Sequence, residues 1–209
     1  MRIETFAHDL KNRIAAGLPG IVAQQRMAPS IRQIKPFEEQ EYPLAKKAAV
    51  LILLYPHKDA VYTVLMKRPD YVGTHSGQIS FPGGKIEADD PDAAYTALRE
   101  TEEEVGVRKE QVELIGKLSD IYIPPSDFFV YPYIGFTKQR PVFIPDSNEV
   151  AEVIETPVHI ILDETIKGSE IITRNAVSFT AKYYRIQNYK VWGATAILLS
   201  ELEMLLADL

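Results

Sequence analysis

Apolar positions recur along this chain with two different periods. Ile3, Phe6, Leu10 and Ile14 follow helical spacing, and the stretch from Gly17 to Gly20 ends that element. Residues 24–44 contain three prolines and many polar groups, which predicts an extended connection. Ala48 to Tyr55 and Ala60 to Lys67 are apolar runs of strand length, separated by the turn-forming Pro56-His57-Lys58-Asp59. Further strands are expected near 111–118, 128–137 and 149–155, with a loop over 139–148 and a short helix near 157–164. Ile171 to Thr180 and Lys182 to Ile186 read as another strand pair, and residues 193–207 have the apolar density of a packed helix. Helices mixed with hairpins predict an α+β fold, with helices packed around a mixed sheet. Residues 1–44, a helix and its connection, are expected to belong to the same domain as residues 45–209.

The segment before Gly106 has the strongest local signals. Asp90 suits an N-cap and Pro91 the first helical position, where no amide donor is needed. Asp92 adds negative charge at the positive end of the helix dipole, and Gly106 supplies a left-handed residue to end the helix. At about 100° per residue, Glu104 falls roughly 40° to one side of Glu100 and Glu103 roughly 60° to the other. Ala94, Leu98, Thr101 and Val105 occupy a separate arc that faces a core, while Glu102 points to water. Arg99 stands one turn before Glu103, within reach of an ion pair. Carboxylates grouped in this way repel one another unless a cation sits among them. Mg²⁺ suits the role, since it takes oxygen ligands and binds through few carboxylates together with substrate phosphates. Glutamate runs are often only solvated helix faces; the preceding Phe81-Pro82-Gly83-Gly84 turn and the paired arginine favour a metal site.

Composition sets limits. With 209 residues and 46% hydrophobic content the chain can bury a sizeable core in one domain. It has no cysteine, which excludes disulfides and thiolate zinc sites. A net charge of −6 argues against a surface that coats nucleic acid. No apolar run approaches the roughly 20 residues needed to span a bilayer, and Met1-Arg2-Ile3-Glu4 lacks the start of a secretory signal. A cytoplasmic enzyme with a small-molecule substrate, and neither nucleic acid nor membrane as partner, is therefore expected; a homodimer is left open.

The run from Gly84 to Val107 resembles the Nudix box, whose pattern is Gly, five residues, Glu, seven residues, then Arg-Glu-aliphatic-any-Glu-Glu-any-Gly-aliphatic. Arg99, Glu100, Glu103, Glu104, Gly106 and Val107 match its second half. Gly84 to Arg99 is one residue longer than the pattern, Asp90 (or Asp89) replaces its first glutamate, and Thr101 stands at an aliphatic position. Upstream, Val64-Leu65-Met66-Lys67-Arg68, Gly77 and Phe81-Pro82-Gly83-Gly84 are similar to the motif that precedes the box in coenzyme A pyrophosphatases. That motif has an arginine four residues before its glycine, where this chain has Gly73. Downstream, the segments 122–126, 132–135 and 192–196 are similar to the same subfamily. The resemblance implies the Nudix α/β/α sandwich with Mg²⁺ or Mn²⁺ as cofactor.

It also implies cleavage of coenzyme A or acyl-CoA to 4′-phosphopantetheine, or its acyl form, and adenosine 3′,5′-bisphosphate. Glu100 and Glu104 are then the primary metal ligands, Glu103 bridges or supports them, and Arg99 orients Glu103. The Gly83-Gly84 turn lets backbone approach closely, with the Gly84 carbonyl as a further ligand. Glu149 and Glu152 lie where the resemblance places a base for the attacking water. Lys67, Arg68 and Lys85 are candidates for substrate phosphates, including the extra 3′-phosphate. Tyr122, Phe128, Phe129 and Tyr131 can stack an adenine, although aromatics at strand spacing are more often core. His75 beside Ser76 has no glycine-flanked nucleophile elbow, so a serine hydrolase is not expected. Two alternatives stay open: hydrolysis of another nucleoside diphosphate derivative, such as a nucleotide sugar or dinucleotide, and a non-catalytic binding module of Nudix fold.

Overall fold

The computed structural model describes residues 2–35, 39–70, 77–174 and 176–207. Strands β1 (Lys46–His57) and β2 (Ala60–Lys67) form the middle of the larger sheet. Only Lys58 and Asp59 separate them, both at positive φ, the hairpin geometry that suits the twist of the flanking strands. Two short strands, β3 (Ile79–Ser80) and β4 (Gly83–Lys85), pair with β2 and β1 respectively. After the helix come β5 (Glu113–Lys117), β6 (Ile121–Ile123) and β7 (Phe128–Phe136). β7 runs parallel to β1 from Lys46↔Phe128 to Leu54↔Phe136, and carries β5 and β6 antiparallel on its other side. β8 (Glu152–Pro157) pairs antiparallel with β2 and completes an eight-stranded mixed sheet. A second, antiparallel sheet comprises β9 (Lys167–Arg174), β10 (Val177–Ile186) and β11 (Tyr189–Trp192).

Alternation along β1 explains the layers, because successive side chains point to opposite faces. Ala48, Ile52 and Leu54 enter a core shared with Phe6 and Leu10 of α1 (Ile3–Ala16), Met27 of α2 (Gly20–Met27), and Leu199 and Leu202 of α4 (Ala194–Leu206). Ala49, Leu51, Leu53 and Tyr55 face the opposite way, toward Ala97 and Val105 of α3 (Ala93–Val105). A strand covered on both faces reads as an unbroken apolar run. The architecture is the expected α/β/α sandwich.

Several local expectations change. The connection expected over 24–44 begins with the last turn of α2, whose apolar stripe is too short to stand out, and contains a 3-10 turn at Glu39–Glu41. The strand expected from 149 starts at Glu152, because Glu149 and Val150 donate their amides to Asp146 O in a turn. The short helix near 157–164 is a 3-10 segment, Val158–Leu162. The break expected between Thr180 and Lys182 is absent: Ala181 is buried and paired with Glu170, since inside-outside alternation continues through it, and the turn lies earlier, with Ala176 at φ 63°. Gly73, His75 and Ser76 lie outside the described residues. Among the described residues no helix is long and apolar enough to cross a membrane.

Candidate active site

The helix that presents the glutamates is capped differently from expectation. Asp92 is the N-cap, accepting a hydrogen bond from Tyr95 N at 2.7 Å, and Gly106, at φ 75°, ends the helix. Asp90 serves Arg99 instead. Its carboxylate accepts from Arg99 Nε and Nη2, both at 2.9 Å, from Thr96 Oγ1 at 2.8 Å and from Glu87 N at 2.9 Å. The Arg99 hydrogen bonds foremost hold this carboxyl well below its ordinary range. Arg99 also reaches Glu100 Oε1 at 2.9 Å, Glu103 Oε2 at 2.8 Å and the Lys85 carbonyl at 3.3 Å. One guanidinium thus ties the loop after β4 to the helix that bears the acids. Thr101, at an aliphatic position of the motif, is fully buried and satisfies its hydroxyl by donating to Ala97 O at 2.7 Å.

Glu100, Glu104 and Glu149 each offer a carboxylate oxygen within 4.8 Å of the others. Glu104 is 1% exposed; it accepts from Gly83 N at 2.7 Å and lies 3.6 Å from Arg68 Nη2, which also donates to Gly83 O at 3.2 Å. Burial pushes its pKa up to about 8, against the opposing pull of Arg68 and the Gly83 amide. Burial also raises Glu100, with Arg99 opposing. Gly84 lies so close to Glu100 that a Cβ there would stand 2.4 Å from its carboxyl carbon. Clustered, partly desolvated carboxylates with only oxygen donors suit a hard divalent cation, which would supply the charge that Arg68 gives Glu104 only in part.

β4 forms one wall of a cleft of about 980 Å³. Ala48, Val50, Phe128 and Val130 line it, on the sheet face opposite α3. The cleft and the acidic helix therefore meet across the Gly83-Gly84 backbone.

A sequence model of the NUDIX domain matches residues 45–174. The chain belongs to the Nudix hydrolase family. It is 33% identical to the mitochondrial Nudix hydrolase 15 of Arabidopsis thaliana over 175 residues, 77% of this chain and 61% of that relative's length. With the Nudix hydrolase NudL of Yersinia pestis it shares 33% identity over 157 residues, covering 75% of this chain and 78% of the relative. Among solved structures, an Ap4A hydrolase binary complex from C. elegans is similar at TM-score 0.54 and 16% identity, over 78% of this chain and 99% of that one. A MutT/nudix family protein from Enterococcus faecalis gives TM-score 0.52 and 16% identity, over 88% and 72%. These two likenesses show the Nudix fold.

Nudix hydrolases generally require a divalent metal, and Glu100, Glu104 and Glu149 are a candidate set of ligands for one. Of the glutamates singled out in the sequence, the Nudix fold brings Glu149 to Glu100 and Glu104. Glu103 lies outward, its side chain 56% exposed and held by Arg99. Glu152 is exposed on β8 and accepts from the Tyr189 hydroxyl. Arg68 and Lys85 line the cleft with Gly83 and Gly84, whereas Lys67 lies 3.9 Å from Asp70. Phe128 lines the cleft; Phe129 is buried, Tyr131 donates to Glu39 at 2.7 Å, and Tyr122 stacks on Tyr42. Arg32, which no sequence pattern marked, also lines the cleft.

The raised Glu104 pKa gives a pH-dependent expectation. Between its ordinary value of 4.5 and about 8, the folded metal-free protein keeps a proton that the unfolded chain has lost, so this group's contribution to stability falls as pH rises through that window. A cation held by Glu104 would displace the proton and remove the penalty. The gain in melting temperature from saturating Mn²⁺ over chelator should therefore grow from about pH 6 to about pH 8. Melts across that range check it, and a gain independent of pH would contradict it.

Proposed function

We propose that this protein hydrolyses the diphosphate of coenzyme A or acyl-CoA, using Mg²⁺ or Mn²⁺, to 4′-phosphopantetheine or its acyl form and adenosine 3′,5′-bisphosphate. The observation that carries the reading is the Glu100, Glu104 and Glu149 cluster beside a largely apolar cleft with Arg68 and Lys85 on its wall. When bound, a divalent cation neutralises diphosphate charge and acidifies a coordinated water. Glu100 and Glu104 would hold that cation, with the Gly84 carbonyl as a further donor. Arg99 fixes Glu100 and keeps Glu103 in support. Glu149, exposed and close to both ligands, takes the proton of the attacking water; Glu152, engaged by Tyr189, is the reserve candidate. Water adds its oxygen to one phosphorus as the bridging P–O bond breaks, and the departing phosphate leaves as an anion next to Arg68 and Lys85. Phe179, Trp192 and Leu198 give the cleft apolar surface suited to a pantetheine arm or acyl chain.

Gly73, in place of the subfamily arginine, favours a second reading in which another nucleoside diphosphate derivative is the substrate. Retention of Glu100, Glu103 and Glu104 argues against a silent binding module. Incubation with coenzyme A and either metal, followed by mass spectrometry, should yield the two products. No turnover of coenzyme A, with cleavage of a nucleotide sugar or dinucleotide, would transfer the assignment to the second reading. A cytoplasmic location belongs to the same proposal, and cell fractionation tests it.

A further inference from the structure

Among the described residues, Arg32 Nε, Ser80 Oγ and Ser126 Oγ are buried polar atoms of the cleft lining that have no hydrogen-bond partner. An unmet buried donor is costly, and an unpaired cation more so. Arg32 is half-buried and, among the described residues, its side chain meets no carboxylate and makes one hydrogen bond, from Nη2 to the neutral Tyr122 carbonyl. Burial lowers its pKa, as expected for a desolvated charge without a counter-ion.

The arginine is held in place. Ser30 N donates to Thr180 O at 2.9 Å and Thr180 N to Ser30 Oγ at 3.0 Å, pinning its segment to β10. Gln25 brackets it from α2, accepting from Ile34 N at 2.7 Å and donating to Arg32 O at 3.1 Å. Arg32 is thus anchored beside β6, and Ser126 lies in the turn that follows that strand. Register locates this region relative to the Gly83-Gly84 loop. Lys85 pairs with Ala48, Ala48 with Val130, and Val130 with Ile121, so β6 is three strands from β4. That is roughly 14 Å at about 4.8 Å per strand, which leaves room for a nucleoside between the two ends.

We propose that Arg32 and Ser126 form an anion subsite for a phosphomonoester on the nucleoside part of the substrate, distinct from the diphosphate that is cut. The guanidinium supplies the charge and the fork of donors, and the serine a further O–H. The subsite rests on the reading of the substrate as a coenzyme A-type nucleotide, which carries such a group on its ribose. It makes Arg32 a specificity residue outside the Nudix box.

Calorimetry on the full chain with adenosine 3′,5′-bisphosphate and adenosine 5′-monophosphate tests it, because neither contains an anhydride and no turnover intervenes. The parent should bind the bisphosphate more tightly, on the order of 10- to 100-fold. Arg32→Ala should bring the two affinities to within about threefold, Arg32→Lys should keep part of the preference, and Ser126→Ala should reduce it by a smaller factor. The readout is the ratio of two ligands on one protein, so a general disturbance of the 29–34 segment does not imitate the result. Equal affinities in the parent, no binding of either nucleotide, or an unchanged ratio in Arg32→Ala would overturn the subsite. Failure to cut coenzyme A with the preference intact would remove the substrate reading and leave the subsite standing.

Discussion

Glu104→Gln should lose metal-dependent turnover by about 1,000-fold while the metal-free protein becomes no less stable at about pH 9. Two features of the site produce this combination. In the proposed active complex the carboxylate would supply negative charge to the cation, and an amide of the same shape would supply none. In the metal-free protein the same carboxylate is a burden, since burial opposes its ionisation and Glu100 and Glu149 add repulsion. Glutamine can still accept from Gly83 N, so the local hydrogen bond survives the exchange. It gives up the attraction of Arg68, 3.6 Å away, which is a smaller effect than desolvation. Turnover assays in Mn²⁺ and melts in chelator check both halves. Activity equal to the parent would remove Glu104 from the mechanism, and a large loss of metal-free stability would show that Arg68 outweighs burial.

The sequence groups Glu100 with Glu104 but does not show that Glu103 turns away from them, and both outcomes have physical reasons. Helical phase puts Glu100 and Glu104 about 40° apart whatever surrounds them, so that pair is local information. Glu103 is only slightly farther in phase from Glu100, about 60°, yet Arg99 engages it on the solvent side, and only the packing of α3 against β1 and β4 decides this. Glu149 comes from a turn held by Asp146, and Asp146 N in turn donates to Glu104 O at 3.0 Å; that closure joins positions over forty residues apart and has no periodic trace. Asp90 illustrates competing uses of one residue type. As a helix cap it is interchangeable with Asp92, and the pairing with Arg99 settles which of them caps. Long apolar strands such as β1 and β2 were legible, whereas β3 and β4 are too short to carry alternation. Arg32 could not be found at all from its neighbours, because its significance lies in what it does not touch.

The two glycines of the turn should fail in opposite ways when each is replaced by alanine. At Gly84 the added Cβ would stand 2.4 Å from the carboxyl carbon and Oε2 of Glu100, the far end of a flexible side chain. That side chain can swing away, so Gly84→Ala should fold with nearly the parent's stability. The displaced ligand should then cost turnover about 100-fold, in line with misplacement of a reacting group by about 1 Å. At Gly83 the Cβ would meet Ala49 O at 2.3 Å and Val50 Cα at 2.5 Å, on a backbone at φ 150°. Neither contact can yield without separating β4 from β1, since Val50 and Gly83 are register partners. Gly83→Ala should therefore lose about 3 kcal/mol or more of stability, from strain and lost pairing together. Chemical denaturation and metal-saturated kinetics on both variants distinguish the outcomes. An inactive but stable Gly84→Ala beside an unstable Gly83→Ala would show that one glycine makes room for a ligand and its neighbour for the sheet. A stable, fully active Gly84→Ala would mean that Glu100 tolerates displacement, and its part in holding the cation would have to pass to Glu104 and Glu149.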